Sequence, residues 1–433
     1  MINVKKIKSR NTKIGILGAG KSGLAVSKLA ERLGFNFFLS DSGLPRNEIN
    51  FNEINFEIGG HSEKIFNSDL IIKSPGIPND IDIIKKAVKR NIPIISEVEF
   101  ASWFAVSPII GLTGTNGKTT TVNLIYHIFS NAGLNPMLGG NVGIPFSENV
   151  YKEITGKKRE GVHILELSSF QLEHIIHLSL EVACILNISM DHLDRYDSFE
   201  KYIDAKLNIL NTVKKNGFIV YNNNDSILND RISDKNNIIP FSYSNIKSSY
   251  LNLNNIPLKG EHNQSNIAAA LAISKIYNIN SEIFAKSIKE FNPLPHRLEY
   301  LLTFNNTEIY NDSKSTNIDA MSVAIDAFNQ NIIMIVGGID KGKTDFLKIF
   351  QKYSSRISYV SCYGKSGQTI FNQIKNHIKS KYIQDFENSV FDAVSQCKGD
   401  DILLFSPGCA SYDQFENYID RGNKFKEIIF GLS

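Results

Sequence analysis

Pro-Ile-Ile-Gly-Leu-Thr-Gly-Thr-Asn-Gly-Lys-Thr-Thr, residues 108–120, is the stretch that decides the fold. An apolar run typical of a buried strand leads into a glycine loop, and apolar residues at helical spacing follow over residues 122–129. A strand, a loop and a helix in this order form a cradle whose backbone amides bind phosphate groups. Lys118 is placed to reach the β and γ phosphates of a nucleotide, and the Thr119 hydroxyl to bind Mg²⁺. Leu112 stands where the common phosphate-loop spacing has its first glycine, so that pattern is missed by one residue.

The same alternation of short β-branched runs and longer helical patterns continues along the chain. It restarts with a strand and a glycine turn at residues 13–20 and 331–338. This pattern is typical of parallel sheets covered by helices, so the sequence predicts an α/β fold with three largely parallel sheets. We expect three domains, at residues 1–104, 105–294 and 295–433, because two prolines interrupt the chain near the second boundary.

Composition and charge exclude several classes of protein. Hydrophobic residues make up 42% of the 433 residues, which is enough to bury cores. The 47 basic and 44 acidic side chains leave a net charge of only +3, so we expect no nucleic-acid partner. No run approaches the roughly 18 apolar residues of a membrane span, so we expect no membrane insertion. The four cysteines form no C-x-x-C pair, which predicts a cytoplasmic protein without disulfides or zinc.

The first predicted domain carries a glycine fingerprint. Gly18-Ala19-Gly20-Lys21-Ser22-Gly23 follows a strand pattern and precedes a helical one, the context in which G-x-G-x-x-G binds a pyrophosphate. A second strand ends at Asp41, where such folds hold a ribose or a base. The fingerprint alone allows an NAD-dependent dehydrogenase, another nucleotide-binding domain, or a tight turn without a ligand.

Three polar residues interrupt apolar patterns in the middle of the chain. Glu166 lies in a buried-strand run, where an unpaired carboxylate is costly but a Mg²⁺ ligand is compensated. His192 follows the next strand and is either a loop residue or a metal ligand. Lys206 falls on the same helical stripe as Phe199, so its amine either points inward or snorkels to solvent. A buried lysine amine can pair with a carboxylate or react with carbon dioxide to form a carbamate, which would bind a second metal ion.

Taken together, these residues resemble the Mur ligase family, whose loop reads as residues 114–120 do here. The unusual spacing at Leu112 is then a family trait. The resemblance spans all three predicted domains and is carried by residues 74–78, 140–143, 165–172, 190–196, 260–263, 295–297, 311–317 and 406–415. Residues 406–415 are typical of the branch of the family that adds D-glutamate.

The resemblance implies an ATP-dependent amide ligase with two Mg²⁺ ions and a carbamylated Lys206. Its small-molecule substrates would be UDP-N-acetylmuramoyl-L-alanine, D-glutamate and ATP, joined through an acyl phosphate during peptidoglycan precursor synthesis, and a monomer is expected. A sister ligase for another amino acid or for folate polyglutamate, a dehydrogenase, and a non-catalytic nucleotide-binding regulator remain alternatives.

The resemblance also assigns a role to individual residues. The residues expected to bind the UDP-sugar are Lys21, Ser22, Asp41, Ser42, Ser74 and Asn141. Those expected to bind ATP are Gly114, Thr115, Asn116, Gly117, Lys118, Thr119, Thr120, Asn266, Arg297 and Asp312. The catalytic residues would be Lys118, Glu166, His192 and Lys206, and the metal ligands Thr119, Glu166, His192 and Lys206. D-Glutamate would contact Thr316, Lys341, Ser411 and Tyr418, with Lys343 as the alternative to Lys341.

Overall fold

The computed structural model describes residues 11–43, 55–156, 161–191, 195–232, 235–244, 256, 258, 260–292, 294–340 and 344–432. These residues form three sheets with flanking helices, which confirms the predicted α/β class and the number of sheets. The chain divides into two compact units. Unit 1 comprises Met1–Ile188, Ser198–Leu251 and Ser265–Ile288, and unit 2 comprises Ser189–Asp197, Asn252–Gln264 and Lys289–Ser433. The two boundaries of the three expected domains, near residues 104 and 294, stay a prediction.

The first sheet, in unit 1, is built from the amino-terminal part of the chain. Its elements are β1 (Lys13–Leu17), α1 (Lys21–Arg32), β2 (Asn36–Asp41), β3 (Asn55–Ile58), a 3-10 helix (Glu63–Asn67), β4 (Leu70–Lys73), α2 (Asp82–Lys89), β5 (Ile94–Ser96) and α3 (Glu97–Ser102). The strand order is β3-β2-β1-β4-β5, and all neighbours are parallel. The glycine fingerprint therefore lies between the central strand and α1, as the sequence predicts.

The second sheet, also in unit 1, carries the phosphate loop. Its elements are β6 (Ile109–Thr113), α4 (Lys118–Asn131), β7 (Pro136–Gly140), α5 (Phe146–Ile154), β8 (Val162–Glu166), α6 (Ser169–Leu172), β9 (Leu180–Ile185), α7 (Phe199–Leu207), a 3-10 helix (Asn208–Thr212), β10 (Val213–Asn222), α8 (Ser226–Ile232) and β11 (Ile238–Phe241), followed by α9 (Glu261–Ile276) and α10 (Ser281–Glu290). The order is β11-β10-β9-β6-β8-β7, with parallel neighbours. All residues of β6 are buried, so the loop extends from a fully enclosed strand between β8 and β9.

The third sheet, in unit 2, is mixed. Its elements are β12 (Glu299–Phe304), β13 (Thr307–Asn311), α11 (Ile318–Asp326), β14 (Ile332–Gly337), α12 (Phe346–Lys352), β15 (Ile357–Tyr363), α13 (Gly364–Ile374), β16 (Ser380–Ile383), α14 (Phe386–Gln396), β17 (Ile402–Gly408) and α15 (Tyr418–Phe430). The order is β12-β13-β17-β14-β15-β16. The five strands β13, β17, β14, β15 and β16 are parallel to one another. The edge strand β12 pairs antiparallel with β13. Asn305 and Asn306 connect these two strands with φ angles of 49° and 66°, the left-handed conformation of a tight hairpin.

Helices cover both faces of the third sheet. Alternate residues of β14 enter different apolar clusters: Met334 packs with Phe350 and Ile370, whereas Ile335 packs with Val390 and Phe425. A strand with buried residues on both faces is expected in a parallel sheet between two helical layers. No helix within the described ranges is long and apolar enough to span a bilayer.

Candidate active site

The phosphate loop joins the end of β6 to the start of α4. Gly117 is the residue that caps α4, with φ of 81°, and no side chain caps the helix there. A Cβ at Gly117 would lie 2.4 Å from Oδ1 of Asn266, so the glycine allows this predicted ATP ligand to pack directly on the loop. The amino end of a 14-residue helix, with its free backbone amides and positive dipole end, is suited to a phosphate group.

Two lysine ammonium groups converge on one carbonyl of this loop. Lys118 Nζ donates to the Gly114 carbonyl at 2.7 Å and to the Thr115 carbonyl at 2.7 Å. Lys206 Nζ donates to the same Gly114 carbonyl at 2.8 Å, and the Lys206 side chain is buried. The snorkelling alternative for Lys206 is therefore wrong. Two like charges that share one oxygen repel each other, so the loop is electrostatically prepared for an anion.

Tyr202 contacts both Lys206 and the loop. The Lys206 ammonium stands 4.7 Å from the centre of the Tyr202 ring, a cation–π distance, and the Tyr202 hydroxyl lies 3.1 Å from Oγ1 of Thr115. Both residues lie on α7 four positions apart, so they share one face of the helix. The inward face of α7 thus packs Lys206 against the start of the phosphate loop.

Asn187, a residue that the sequence reasoning missed, holds the loop from the end of β9. Its Oδ1 accepts the Asn116 amide at 2.8 Å, and its Nδ2 donates to the Asn116 carbonyl at 3.1 Å. Its own carbonyl accepts the Thr115 amide at 2.9 Å. An asparagine two residues beyond a buried strand that flanks the loop strand was the available signal.

Glu166 ends β8 directly beside the loop strand, where it pairs in register with Leu112. Its carboxylate is buried: Oε1 accepts Nδ2 of Asn141 at 2.9 Å, and Oε2 has no hydrogen-bond partner. A buried carboxylate oxygen without a donor fits a cation ligand, and Thr119, on the first turn of α4, supplies a hydroxyl. Within the described residues, no three His, Cys, Asp or Glu side chains form a metal cluster.

Asn141, predicted to contact the UDP-sugar, is joined to Glu166 twice. Besides the side-chain bond, its amide donates to the Glu166 carbonyl at 2.8 Å. The remainder of the Asn141 residue is exposed. The structure therefore brings this predicted sugar ligand to the carboxylate that we expect to bind metal.

The other predicted UDP-sugar residues surround the glycine fingerprint of the first sheet. Asp41 accepts the Ala19 amide at 2.5 Å through Oδ2 and the Gly43 amide at 2.7 Å through Oδ1, so it braces the loop. A Cβ at Gly18 would lie 2.6 Å from Oγ of Ser74, which brings Ser74 against the same loop. The remaining three, exposed or half-buried, are Lys21, Ser22 and Ser42.

Unit 2 holds a second polar cluster, at the carboxyl ends of β13 and β17. Asp312 follows β13 and accepts hydrogen bonds from the Ser406 hydroxyl at 2.8 Å and the Leu298 amide at 3.2 Å. Burial raises the pKa of the Asp312 carboxyl to about 7. The two hydrogen bonds and the nearby Arg297 lower this pKa, but their effect is smaller than that of burial. Arg297, the other predicted ATP ligand here, is half-buried. The carboxyl end of parallel strands is the usual place for ligands in α/β sheets.

The predicted D-glutamate residues lie in the loops of this cluster. Thr316 is half-buried after β13, and Ser411 is buried after β17. Tyr418 begins α15, and the Lys314 ammonium stands 3.8 Å from the centre of its ring. His192, Lys341 and the alternative Lys343 lie outside the described residues.

A phosphate loop, two converging lysines and a buried carboxylate on a parallel sheet define a nucleotide-binding protein of the α/β phosphate-loop class. Family models refine this class: the Mur ligase middle domain matches residues 112–274, the Mur ligase, glutamate ligase domain matches 296–409, and the MurD N-terminal domain matches 13–83. The chain belongs to the Mur ligase family, and the resemblance drawn from its motifs is confirmed. This family uses ATP.

Relatives match over their whole length. Proteins from Christiangramia forsetii and Cytophaga hutchinsonii, both named UDP-N-acetylmuramoylalanine–D-glutamate ligase, are each 35% identical over 97% of this chain and 99% of their own. Among solved structures, a pseudomurein peptide ligase type C from Methanothermus fervidus has a TM-score of 0.61 at 18% identity, covering 98% of this chain and 100% of its own. UDP-N-acetylmuramate-alanine ligase MurC from Thermotoga maritima has a TM-score of 0.60 at 17% identity, with the same coverage. These two likenesses show the fold.

Proposed function

We propose that this protein is an ATP-dependent ligase that joins the carboxyl group of UDP-N-acetylmuramoyl-L-alanine to the amine of D-glutamate, with release of ADP and phosphate. The observation that carries the proposal is the convergence of Lys118 and Lys206 on the Gly114 carbonyl, beside the buried carboxylate of Glu166. The names of full-length relatives at 35% identity support the choice of substrates.

The chemistry requires activation of a carboxylate. In the first step a carboxylate oxygen attacks the γ phosphorus of ATP, the bond to the β-phosphate oxygen breaks, and ADP leaves. The amine of D-glutamate then attacks the acyl carbon of the resulting acyl phosphate, phosphate departs with one carboxylate oxygen, and the amine loses a proton. The first step brings two anions together, which costs on the order of 4 kcal/mol for unit charges 4 Å apart at an effective dielectric of 20. Cationic groups must offset this repulsion.

The residues of unit 1 are suited to that task. Lys118 and the first amides of α4 bind the phosphates and stabilise the transferring phosphoryl group. Thr119 and Glu166 would hold Mg²⁺, which supplies further charge neutralisation at the phosphates. Asn141 orients the Glu166 carboxylate and presents an exposed side to the sugar substrate. His192 stays a proposed ligand of a second ion.

Lys206 is proposed to act as a carbamate. Deprotonation of its ammonium group and addition of the resulting amine to carbon dioxide, with loss of a second proton, would replace a cation by an anion next to Lys118. Like-charge repulsion at the Gly114 carbonyl would become attraction, which favours the modified form. The two new oxygen atoms would then serve a second Mg²⁺.

D-Glutamate is assigned to the polar cluster of unit 2, and the further ATP ligands are assigned residue by residue. Asn266, Arg297 and Asp312 would bind the adenine, the phosphates and the ribose of ATP. D-Glutamate would contact Thr316, Ser411, Tyr418 and one of the two lysines Lys341 and Lys343. The substrates are small molecules, and we place the reaction in the cytoplasm, where ATP and nucleotide-linked sugars are made, with the protein acting as a monomer.

One assay tests the substrates and a second tests the intermediate. ADP release should require UDP-N-acetylmuramoyl-L-alanine and, in a panel of D- and L-amino acids, should be fastest with D-glutamate. A faster reaction with another amino acid would assign the chain to a sister activity. Oxygen-18 placed in the carboxyl group of the UDP-sugar should appear in the released phosphate, and its complete retention in the amide product would refute the acyl phosphate.

A further inference from the structure

Arg421 is a fully buried arginine in the first turn of α15, with 0% of its surface exposed. Its four described hydrogen bonds all end on uncharged oxygen atoms. Buried charges in proteins are normally paired, because removal of an ion from water is costly. A buried arginine bonded to neutral oxygens therefore needs a reason other than stability.

The guanidinium ties together the carboxyl ends of neighbouring strands. Nε donates to Ser313 Oγ at 3.0 Å and Nη2 to the Ser313 carbonyl at 2.7 Å, both just after β13. Nη1 donates to the Cys409 carbonyl, just after β17, at 3.0 Å and to the hydroxyl of Tyr363, the last residue of β15, at 3.3 Å. A Cβ at Gly338, just after β14, would lie 3.2 Å from Nη1. One side chain is thus hydrogen-bonded at the ends of three strands and lies close to the end of a fourth between them.

The contacts with Ser313 and Cys409 lead to residues of the proposed amino-acid site. Ser313 precedes Thr316 by three residues, and its hydroxyl donates to the Tyr418 carbonyl at 2.8 Å. Cys409 precedes Ser411 by two residues. The guanidinium fork is planar and presents its donors in fixed directions, so it holds these loops in one mutual geometry.

The electrostatic position of Arg421 points the same way. It lies in the first turn of α15, where the helix dipole is already positive and a cation is disfavoured. Asp420, in the same turn, is exposed. The carboxylate of Asp312, on the neighbouring loop, accepts hydrogen bonds from the Ser406 hydroxyl and the Leu298 amide. Asp312 lies near enough for the Arg421 charge to lower its pKa, so this carboxylate offsets part of that charge, and an anionic ligand bound in these loops would offset the rest.

We propose that Arg421 is a positioning residue for the amino-acid substrate: it fixes the loops that carry Thr316, Ser411 and Tyr418, and its charge favours a ligand with two carboxylates. Because its side chain is enclosed, Arg421 acts on the substrate through these loops and not by direct contact. The inference rests on the proposed function, in which that substrate is D-glutamate.

Steady-state kinetics on the full-length chain test this role. Arg421→Met removes both the positive charge and the planar guanidinium group. Arg421→Lys keeps the charge but has fewer hydrogen-bond donors, and their directions are not fixed by a planar group. We expect Arg421→Met to raise KM for D-glutamate about tenfold or more, the effect of about 1.4 kcal/mol expected for loss of hydrogen bonds from a charged group, and Arg421→Lys to raise it less. KM for UDP-N-acetylmuramoyl-L-alanine should stay within about twofold in both variants.

Arg356 provides the matched control. Its Nη1 also donates to a carbonyl, that of Phe328, at 2.8 Å. Arg356 lies just before the amino end of β15, away from the carboxyl ends of the strands, and its guanidinium is paired with the Asp326 carboxylate at 2.9 Å. Arg356→Met should lower thermal stability and leave KM for D-glutamate unchanged.

The outcomes separate the two proposals. A wild-type protein that releases no ADP with D-glutamate refutes the proposed function itself. An active wild type whose Arg421 variants keep a normal KM for D-glutamate, or raise the KM of both co-substrates equally, overturns the role of Arg421. If Arg421→Met does not fold, Arg421→Lys decides alone: its KM should rise for D-glutamate only, and a normal value or an equal rise for both substrates counts against the inference.

Discussion

Asn187→Ala tests how far the phosphate loop depends on a residue outside its motif. The substitution removes two hydrogen bonds, from the Asn116 amide to Oδ1 at 2.8 Å and from Nδ2 to the Asn116 carbonyl at 3.1 Å, and keeps the bond from the Thr115 amide to the carbonyl of residue 187. A net contribution of about 0.5–1.5 kcal/mol for each bond gives roughly 1–3 kcal/mol of loop ordering. At about 1.4 kcal/mol for each factor of ten, kcat/KM for ATP should fall about 5- to 150-fold.

The assay is ADP release at varied ATP, combined with urea unfolding of the same variant. Asn229→Ala is the control, because its Nδ2 also donates to a backbone carbonyl, that of Asn223 at 2.9 Å, on an exposed loop. The control should change kcat/KM for ATP by less than about twofold. If Asn187→Ala is destabilised yet keeps kcat/KM for ATP within that same range, the loop is ordered without Asn187 and the reasoning is wrong.

Three further predictions concern other groups. Lys118→Ala should lower turnover by about 10²- to 10³-fold, since the transferring phosphoryl group loses a fixed cation, and near-normal phosphate release would remove the loop assignment. Lys206→Ala should be almost inactive and regain part of its ADP release with short carboxylic acids, whereas full activity without them contradicts a carbamate. Glu97→Gln should stabilise the protein at pH 8: burial raises the pKa of Glu97 from 4.5 to about 7. Because the folded-state pKa is the higher one, wild-type stability is lost as pH rises from 4.5 to 7, by an amount on the order of 3 kcal/mol. Urea unfolding at pH 4.5 and pH 8 measures it, and an equal effect of the substitution at both values counts against the shift.

The sequence predicted the elements whose signals are local. The strand, loop and helix at residues 108–131 and the glycine fingerprint after β1 lie where their patterns indicate, because apolar period and glycine turns act over a few residues. The edge strand β12 escaped prediction, since its antiparallel direction depends on the left-handed turn at Asn305 and Asn306. The last helix begins at Tyr418, because the Asn417 side chain caps it by accepting the amides of Ile419 and Asp420.

The candidate site follows the same division. Glu166 was predictable as buried because it interrupts an apolar strand pattern, whereas the helical stripe at Lys206 allowed both an inward and a snorkelling amine; both residues are buried. Asn187 interrupts the apolar run of residues 182–188, but that run does not show which backbone groups its amide binds, and Arg421 lies in a polar helical turn. Their roles depend on which strands become neighbours, a tertiary property that periodicity does not contain.

The phosphate loop of unit 1 and the polar cluster of unit 2 both hold cationic side chains in fixed positions. The net charge of +3 provides no general attraction for anions, so affinity for phosphate and carboxylate groups must come from charges fixed inside the fold. In unit 1 two ammonium groups share the Gly114 carbonyl, and in unit 2 the Arg421 guanidinium is bonded to neutral oxygens. Burial of a charge and the approach of two like charges both cost folding free energy. An anionic ligand repairs both, so the interactions that weaken the free protein become favourable when phosphate or dicarboxylate binds. This is how a nearly neutral chain can select strongly charged substrates.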